Sequence, residues 1–113
     1  MAVFLCLYYS KEGGGLITLS INFLEGFQSD MVILILDGEV IYRNDDVTTM
    51  KLTNLADSYQ IDGLNTPRDL EIHIPTLDLT ESVQIDLTKP FLYVNLTEGG
   101  IETELREMPL FLG

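Results

Sequence analysis

Apolar and polar residues alternate along much of the chain from residue 16 onward. In residues 17–23 (ITLSINF) the odd positions are apolar, whereas Thr18, Ser20 and Asn22 are polar. Successive side chains of a β-strand point to opposite faces, so this alternation predicts a strand that is buried on one face only. The same pattern predicts strands at residues 70–74, 83–87 and 101–105.

Other stretches predict strands from less regular patterns. Residues 31–36 (MVILIL) are apolar at every position and rich in β-branched side chains, which is typical of a central strand. Residues 91–96 form another strong strand pattern, and residues 47–52 and 58–61 form shorter ones. The only helix candidate is residues 54–57, a stretch too short for more than one turn.

Turn signals separate these runs. Asp37-Gly38 is a preferred two-residue hairpin turn, because both central positions of such a turn need a positive φ. The sequence TEGG at residues 97–100 predicts a second hairpin. About eight to ten short strands at this spacing are typical of an all-β fold, so we predict an antiparallel two-sheet β-sandwich.

The strand pattern resembles the broad immunoglobulin and fibronectin type III class of architecture. The chain has no tryptophan and a single cysteine, so the cysteine pair and core tryptophan of antibody domains are missing. A length of 113 residues suits one domain, which we assign to residues 16–113. Residues 1–15 combine the apolar run AVFLCLYY with a glycine-rich linker, and they predict either an additional strand or an upstream extension.

The charge balance narrows the range of partners. Eighteen acidic and six basic residues give a formal net charge of −12. A surface this acidic repels nucleic-acid phosphates and anionic lipids, so we expect neither a nucleic-acid nor a membrane partner. The longest apolar run has eight residues, against about 20 for a membrane-spanning helix. Because no signal peptide is recognisable, the sequence predicts a cytoplasmic protein.

A set of acidic residues is a candidate cation site. If successive strands run antiparallel, alternate connections lie at the same end of a sandwich. Counted from the strand at residues 17–23, one end then collects Glu25, Asp30, Asp45, Asp46 and Asp62. Calcium is bound by about six to eight oxygen ligands, so this end is a candidate calcium site. The alternative is that these acids initiate turns by bonding to their own backbone, and no EF-hand loop is present.

Phe27 is a candidate contact residue for a sugar or a protein partner. It lies in the predicted loop EGFQSD, next to Gly26. An aromatic ring in a loop offers an apolar face to a ligand, and the five tyrosines of the chain offer further stacking surfaces. The alternative is that the Phe27 ring folds back over the open end of the core.

Few residues suggest catalysis. His73 is the only histidine, and it lies on the polar face of a predicted strand, where we expect it to pair with a carboxylate on a neighbouring strand. Cys6 lies in an apolar run, where burial makes a thiol unreactive. Asn95-Leu-Thr97 is a glycosylation sequon that we attribute to chance. We therefore predict no enzymatic activity and, apart from the candidate calcium, no cofactor.

The sequence favours a non-enzymatic protein–protein interaction or structural module that self-associates. The apolar runs at residues 2–9 and 110–112 carry few of the charges that protect strand edges, so they predict a homodimer formed through these edges. A different protein partner is a second option. The alternative function is a calcium-assisted carbohydrate-binding module that uses the acidic loop end and Phe27.

Overall fold

The computed structural model describes residues 16–110, which form an all-β fold. The eight strands of this range are β1 (Ile17–Phe23), β2 (Asp30–Leu36), β3 (Glu39–Val47), β4 (Asp57–Leu64), β5 (Asp69–Ile74), β6 (Leu79–Gln84), β7 (Phe91–Thr97) and β8 (Gly100–Arg106). One turn of 3₁₀ helix, Pro75–Leu77, links β5 to β6. The strand predicted at residues 2–9 and most of the edge predicted at residues 110–112 lie outside the described residues.

The strands form two four-stranded sheets, which confirms the predicted β-sandwich. Sheet 1 has the order β4-β1-β7-β8, and sheet 2 has the order β3-β2-β5-β6. Paired neighbours are antiparallel except for β1 and β7, which run parallel. The inner faces of both sheets contribute to one hydrophobic core, which includes Phe23, Leu34, Ile72 and Leu92. Within residues 16–110 no helix is long and apolar enough to cross a membrane.

Local sequence accounts for most of these elements. The odd positions Leu19, Ile21 and Phe23 of β1 are buried in the core, as their alternation with polar residues predicts. β2 lies between β3 and β5, which confirms the predicted central strand. Asp37 and Gly38 form the β2–β3 hairpin with φ values of 51° and 82°, as the turn type requires.

The strand predicted at residues 47–52 is wrong. β3 ends at Val47, and residues 48–56 form a loop before β4. Within this loop the Asn54 N–H donates a hydrogen bond of 2.8 Å to the Met50 carbonyl, and Asn54 has a φ of 56°. The chain therefore turns back on itself, although the alternation of Met50, Lys51 and Leu52 is typical of a strand. The helical turn predicted at residues 54–57 does not form. The strand predicted at residues 83–87 is shifted, because β6 ends at Gln84.

The extra predicted strand inverts the assignment of every later loop. Phe23 at the end of β1 pairs with Asp57 at the start of β4, so the β1–β2 and β3–β4 loops share one end. β7 runs parallel to β1, which brings the β7–β8 hairpin to this end as well. We call it the upper end, formed by residues 24–29, 48–56, 75–78 and 98–99. The lower end consists of residues 37–38, 65–68 and 85–90.

Candidate functional site

The structure separates the acids that the sequence predicts at one loop end. Those toward the upper end are Glu25, Asp30, Asp45 and Asp46. Asp62 lies near the end of β4, toward the lower end, where its carboxylate accepts a hydrogen bond of 2.8 Å from the Thr18 hydroxyl. The prediction of a shared end is therefore wrong for Asp62, because the strand expected at residues 47–52 is a loop.

Asp30 has a structural role at the upper end. Its side chain is buried, its Oδ2 accepts a hydrogen bond of 2.8 Å from the Gln28 N–H, and its Oδ1 accepts one of 3.1 Å from the Thr76 hydroxyl. These bonds connect the β1–β2 loop to the 3₁₀ turn. The bond to Gln28 runs to the backbone two residues before Asp30, so the Asp30 carboxylate closes the β1–β2 loop and does not initiate a turn.

The acids at the end of β3 also have local partners. Asp45 accepts a hydrogen bond of 2.8 Å from the Arg43 guanidinium, and Asp46 accepts one of 3.3 Å from the Thr48 hydroxyl. Among residues 16–110, no group of three or more histidine, cysteine, aspartate or glutamate side chains is placed to hold a metal ion. The candidate calcium site therefore has no counterpart in the described part of the chain.

Phe27 packs into the core instead of facing solvent. Its ring is 1% exposed and meets the Phe23 ring edge-on, with 5.8 Å between ring centroids. The Phe27 N–H donates to the Thr49 hydroxyl at 3.1 Å, and the Phe27 carbonyl accepts from the Thr49 N–H at 2.9 Å. The ring thus closes the upper end of the core, which is the alternative that the sequence allows. No aromatic side chain within residues 16–110 is more than partly exposed.

A polar cluster that the sequence reading missed joins the edge strands of the two sheets. The Tyr42 hydroxyl of β3 donates to the Asp57 carboxylate of β4, and the Asn44 side-chain amide donates to the same oxygen at 3.0 Å. Burial, helped by the bond to Asp57, raises the pKa of Tyr42 above its usual range. Burial opposes ionisation of Asp57, but the hydrogen bonds from Tyr42 and Asn44 outweigh it and lower the pKa of Asp57. Alternation within β3 places Tyr42 and Asn44 on one face, whereas their pairing with Asp57 depends on the topology.

His73 and Asn95 have partners other than those expected. His73 Nε2 lies 2.8 Å from Glu71 Oε1 on its own strand, so the predicted pairing with a carboxylate on a neighbouring strand is wrong. The Asn95 side-chain oxygen accepts a hydrogen bond of 2.9 Å from the Glu25 N–H. The sequon asparagine therefore contributes to the hydrogen bonding of the upper end.

The outer face of sheet 2 carries an unusual apolar stripe. Met31, Ile33 and Ile35 of β2 alternate with the buried residues of that strand and point away from the core. They are partly exposed and are not among the hydrophobic side chains that pack against the core. Val40 lies opposite Ile35 on β3 and is 58% exposed. We call Met31, Ile33 and Ile35 the β2 stripe.

Charged pairs flank the β2 stripe on both sides. Ile33 lies in register between Arg43 of β3 and His73 of β5. Arg43 forms an ion pair of 2.8 Å with Asp45, and His73 lies against Glu71. The carboxylates next to the stripe are therefore matched by cationic or hydrogen-bonding partners on the same face.

The central strand of sheet 1 provides a direct comparison. β1 is also a central strand, but its outward residues Thr18, Ser20 and Asn22 are all polar. An antiparallel sheet with one face in water normally has polar residues on that face. The outer face of β2 departs from this pattern, because its residues are apolar.

Comparisons of the chain with protein-family models, with curated proteins and with solved structures find no match. The evidence for a function is therefore the chemistry of this surface.

Proposed function

We propose that the protein is a non-enzymatic protein–protein interaction module that self-associates by packing the outer faces of sheet 2 from two copies together. The observation that carries this proposal is the β2 stripe, which presents Met31, Ile33 and Ile35 on the outer face of a central strand. Removing apolar side chains from water is the main driving force of protein association. Covering the β2 stripe would remove apolar side chains from water. The central strand β1 of sheet 1 carries no such stripe.

Charge favours a second copy on this face over the others. A chain with a net charge of −12 repels copies of itself over most of its surface. On the outer face of sheet 2, the Arg43 guanidinium neutralises Asp45 and the Glu71 carboxylate is hydrogen-bonded to His73. Like-charge contacts at an interface cost on the order of several kcal/mol. Two copies therefore associate best through a face on which the carboxylates already have partners.

The dimensions of the sheet set the strength of this contact. Four strands of six to nine residues give a flat face of about 400 Å². Stable interfaces bury about 800 Å² of each partner, and smaller interfaces are usually transient. We therefore expect a reversible dimer whose population depends on protein concentration. Two sheets that pack face to face lie about 10 Å apart, which suits interdigitation of isoleucine side chains.

The test is the dependence of molecular mass on concentration, measured by sedimentation from about 1 µM to a few hundred µM. The Ile33→Thr/Ile35→Thr double variant keeps β-branched side chains and adds hydroxyls to the stripe. The wild type is expected to dimerise and the double variant to remain monomeric. A Ser20→Thr/Asn22→Thr variant on the outer face of β1 is the matched control and is expected to dimerise like the wild type. A monomeric wild type at every concentration would refute the proposal.

The proposal also includes an immunoglobulin-like fold class and a cytoplasmic location. A likeness to immunoglobulin and fibronectin type III domains agrees with an interaction module, although a shared fold alone does not determine function. The single cysteine fits a reducing compartment, and we place the protein in the cytoplasm. The calcium-assisted carbohydrate-binding alternative has less support, because Phe27, its candidate sugar contact, is buried.

A further inference from the structure

The β3–β4 loop presents two large apolar side chains to solvent at the upper end. Met50 is 61% exposed and Leu52 is 89% exposed, and Lys51 lies between them in sequence. Single exposed apolar residues are common on protein surfaces, but two at one loop tip form a small apolar knob. We call Met50, Lys51 and Leu52 the tip.

Hydrogen bonds hold the tip in a defined shape. The Met50 N–H donates to the Leu55 carbonyl at 3.1 Å, and the Asn54 N–H donates to the Met50 carbonyl at 2.8 Å. The base of the loop is fixed to the β1–β2 loop, because the Thr49 hydroxyl donates to the Leu24 carbonyl at 2.5 Å. An ordered tip loses little conformational entropy on binding, so its apolar side chains are preorganised for contact.

The lower end carries a hollow of about 370 Å³. Its lining is largely apolar and includes Pro67, Ile85, Leu87 and Leu105. Ile85 belongs to the core, and Leu87 and Leu105 pack against the core, so the floor of the hollow is fixed. A volume of this size is within the range of about 300–1,000 Å³ that small ligands occupy, and it suits a pair of aliphatic side chains.

Asp86 places a carboxylate at the lining of this hollow, and the nearby Lys89 ammonium offsets part of its charge. Its carboxylate accepts hydrogen bonds from the Thr88 hydroxyl at 2.6 Å and from the Thr88 N–H at 2.9 Å. These bonds lower the pKa of Asp86, so its carboxylate is charged at neutral pH. In sequence, Asp86 lies between Ile85 and Leu87, just as Lys51 lies between Met50 and Leu52.

We propose that the occupant of this hollow is a second copy of the chain, whose tip inserts Met50 and Leu52 into it with Lys51 beside the partner subunit's Asp86. Three features support this occupant: the tip and the hollow are both largely apolar, Lys51 and Asp86 carry opposite charges, and the tip and the hollow lie at opposite ends of the sandwich. The contact between tip and hollow does not involve the outer face of sheet 2. It can therefore be tested separately from the proposed function.

A contact between different surfaces of identical chains has a distinct consequence. Each copy retains one unoccupied tip and one unoccupied hollow after it binds, so further copies add head to tail. The assembly therefore grows into a short chain or closes into a ring, whereas face-to-face packing of sheet 2 stops at a dimer. Species larger than a dimer at high protein concentration are the expected signature.

A charge-swap experiment tests the pairing of the tip with the hollow. All chains carry Ile33→Thr/Ile35→Thr so that the sheet 2 contact does not contribute, and sedimentation at low salt reports the mass distribution. Lys51→Glu alone places two acids together, and Asp86→Lys alone places two lysines together, so each is expected to weaken association at least about tenfold. An equimolar mixture of the two variants pairs opposite charges at both contacts, so association is expected to return.

Two controls complete the experiment. Asp86→Lys removes the hydrogen bonds to Thr88, so the thermal melting of each variant is measured, and Asp86→Asn, which keeps an acceptor oxygen, is expected to weaken association in the same direction. Leu52→Ser, at a position that is 89% exposed, is expected to reduce association without lowering the melting temperature. If the chains with intact tip and hollow remain monomeric, or if the mixture associates no better than either variant alone, the proposal is wrong and the hollow has another occupant.

Discussion

Gly26 lies in the β1–β2 loop with a φ of 92°, a backbone conformation that residues with a side chain rarely adopt. A Cβ added at this position would lie 2.1 Å from the Leu96 carbonyl oxygen, which belongs to the backbone of β7 and cannot rotate away. The Gly26→Ala variant is therefore expected to lose more than about 3 kcal/mol of unfolding free energy, because the loop must move as a unit. Urea denaturation measures this loss.

Gly63 in β4 provides the matched control for that substitution. Its φ is 77°, but a Cβ there would have no heavy atom within 4 Å. Gly63→Ala is therefore expected to cost only the backbone strain, about 1–2 kcal/mol. Equal losses for the two variants would show that close packing against Leu96 contributes nothing.

The Tyr42–Asp57 hydrogen bond gives the protein a predictable response to pH. The pKa of Asp57 is lowered in the folded state, so the contribution of Asp57 to stability is present above about pH 4 and is lost as the pH falls further. The pKa of Tyr42 is raised, so the contribution of Tyr42 is present below about pH 10 and is lost as the pH rises further. The stabilising contact therefore operates between these limits.

The Tyr42→Phe variant tests this pH window. It is expected to be less stable than the wild type by about 1 kcal/mol near neutral pH, a modest value because Asp57 is substantially solvated and keeps its bond from Asn44. The difference between the two proteins is expected to shrink below about pH 4 and above about pH 10. Chemical denaturation across the pH range measures the difference, and a constant value from acid to alkali would contradict the expected linkage.

At the scale of elements, Thr49 joins the two long loops of the upper end. Its hydroxyl donates to the Leu24 carbonyl and accepts from the Phe27 N–H. Thr49→Val has nearly the same shape but leaves both backbone groups without this partner, so it is expected to cost about 1–3 kcal/mol. Thr49→Ser keeps the hydroxyl and is expected to lose much less.

Amide hydrogen exchange separates this local role from a general loss of stability. In Thr49→Val the Phe27 N–H is expected to exchange faster relative to amides in the centre of β2, because it loses its bond to the hydroxyl. In Thr49→Ser the two sets of amides are expected to keep the relative protection that they have in the wild type. A uniform change in exchange at both places would contradict the view that Thr49 fixes the loops.

The elements also show how far the sequence determines the fold. Alternation and turn chemistry predicted β1, β2, β5 and β8 and the Asp37-Gly38 hairpin, because these signals are local. The loop at residues 48–56 was predicted as a strand, because Met50 and Leu52 alternate with Lys51 although neither is buried. The bonds that fix the base of this loop run from Ala56 to Phe23 and from Thr49 to Leu24, and such long-range contacts are not visible in a local pattern.

The strand wrongly predicted at residues 47–52 also made the prediction of the candidate site wrong for Asp62. Counting an extra strand placed Asp62 with Glu25 and Asp30, and only the pairing of β1 with β4 and β7 separates them. Burial of Phe27 likewise depends on the edge-on packing against Phe23 across the β1–β2 loop. The β2 stripe, in contrast, is visible in the sequence MVILIL, which predicts a central strand but does not show that its outer face stays uncovered.

At the scale of the whole molecule, the net charge of −12 sets how the protein responds to ions. Mutual repulsion among carboxylates opposes the compact state, and dissolved salt screens this repulsion over about 10 Å at 0.1 M. Within residues 16–110 the acids do not form a group that holds a metal ion. Cations are therefore expected to act on the described sandwich through ionic strength and not through a specific site.

Thermal melting in calcium chloride and in sodium chloride of equal ionic strength distinguishes these two modes of action. Both salts are expected to raise the melting temperature by similar amounts, because screening depends on ionic strength, and EDTA is expected to have no effect at matched ionic strength. The Asp45→Asn/Asp46→Asn variant is the control, since it removes two acids of the candidate calcium set, and its response to calcium is expected to parallel its response to sodium. A stabilisation that begins at sub-millimolar calcium, is reversed by EDTA and is lost in this variant would instead restore the calcium site, because a ligand that binds only the folded state stabilises it by RT ln(1 + [L]/Kd).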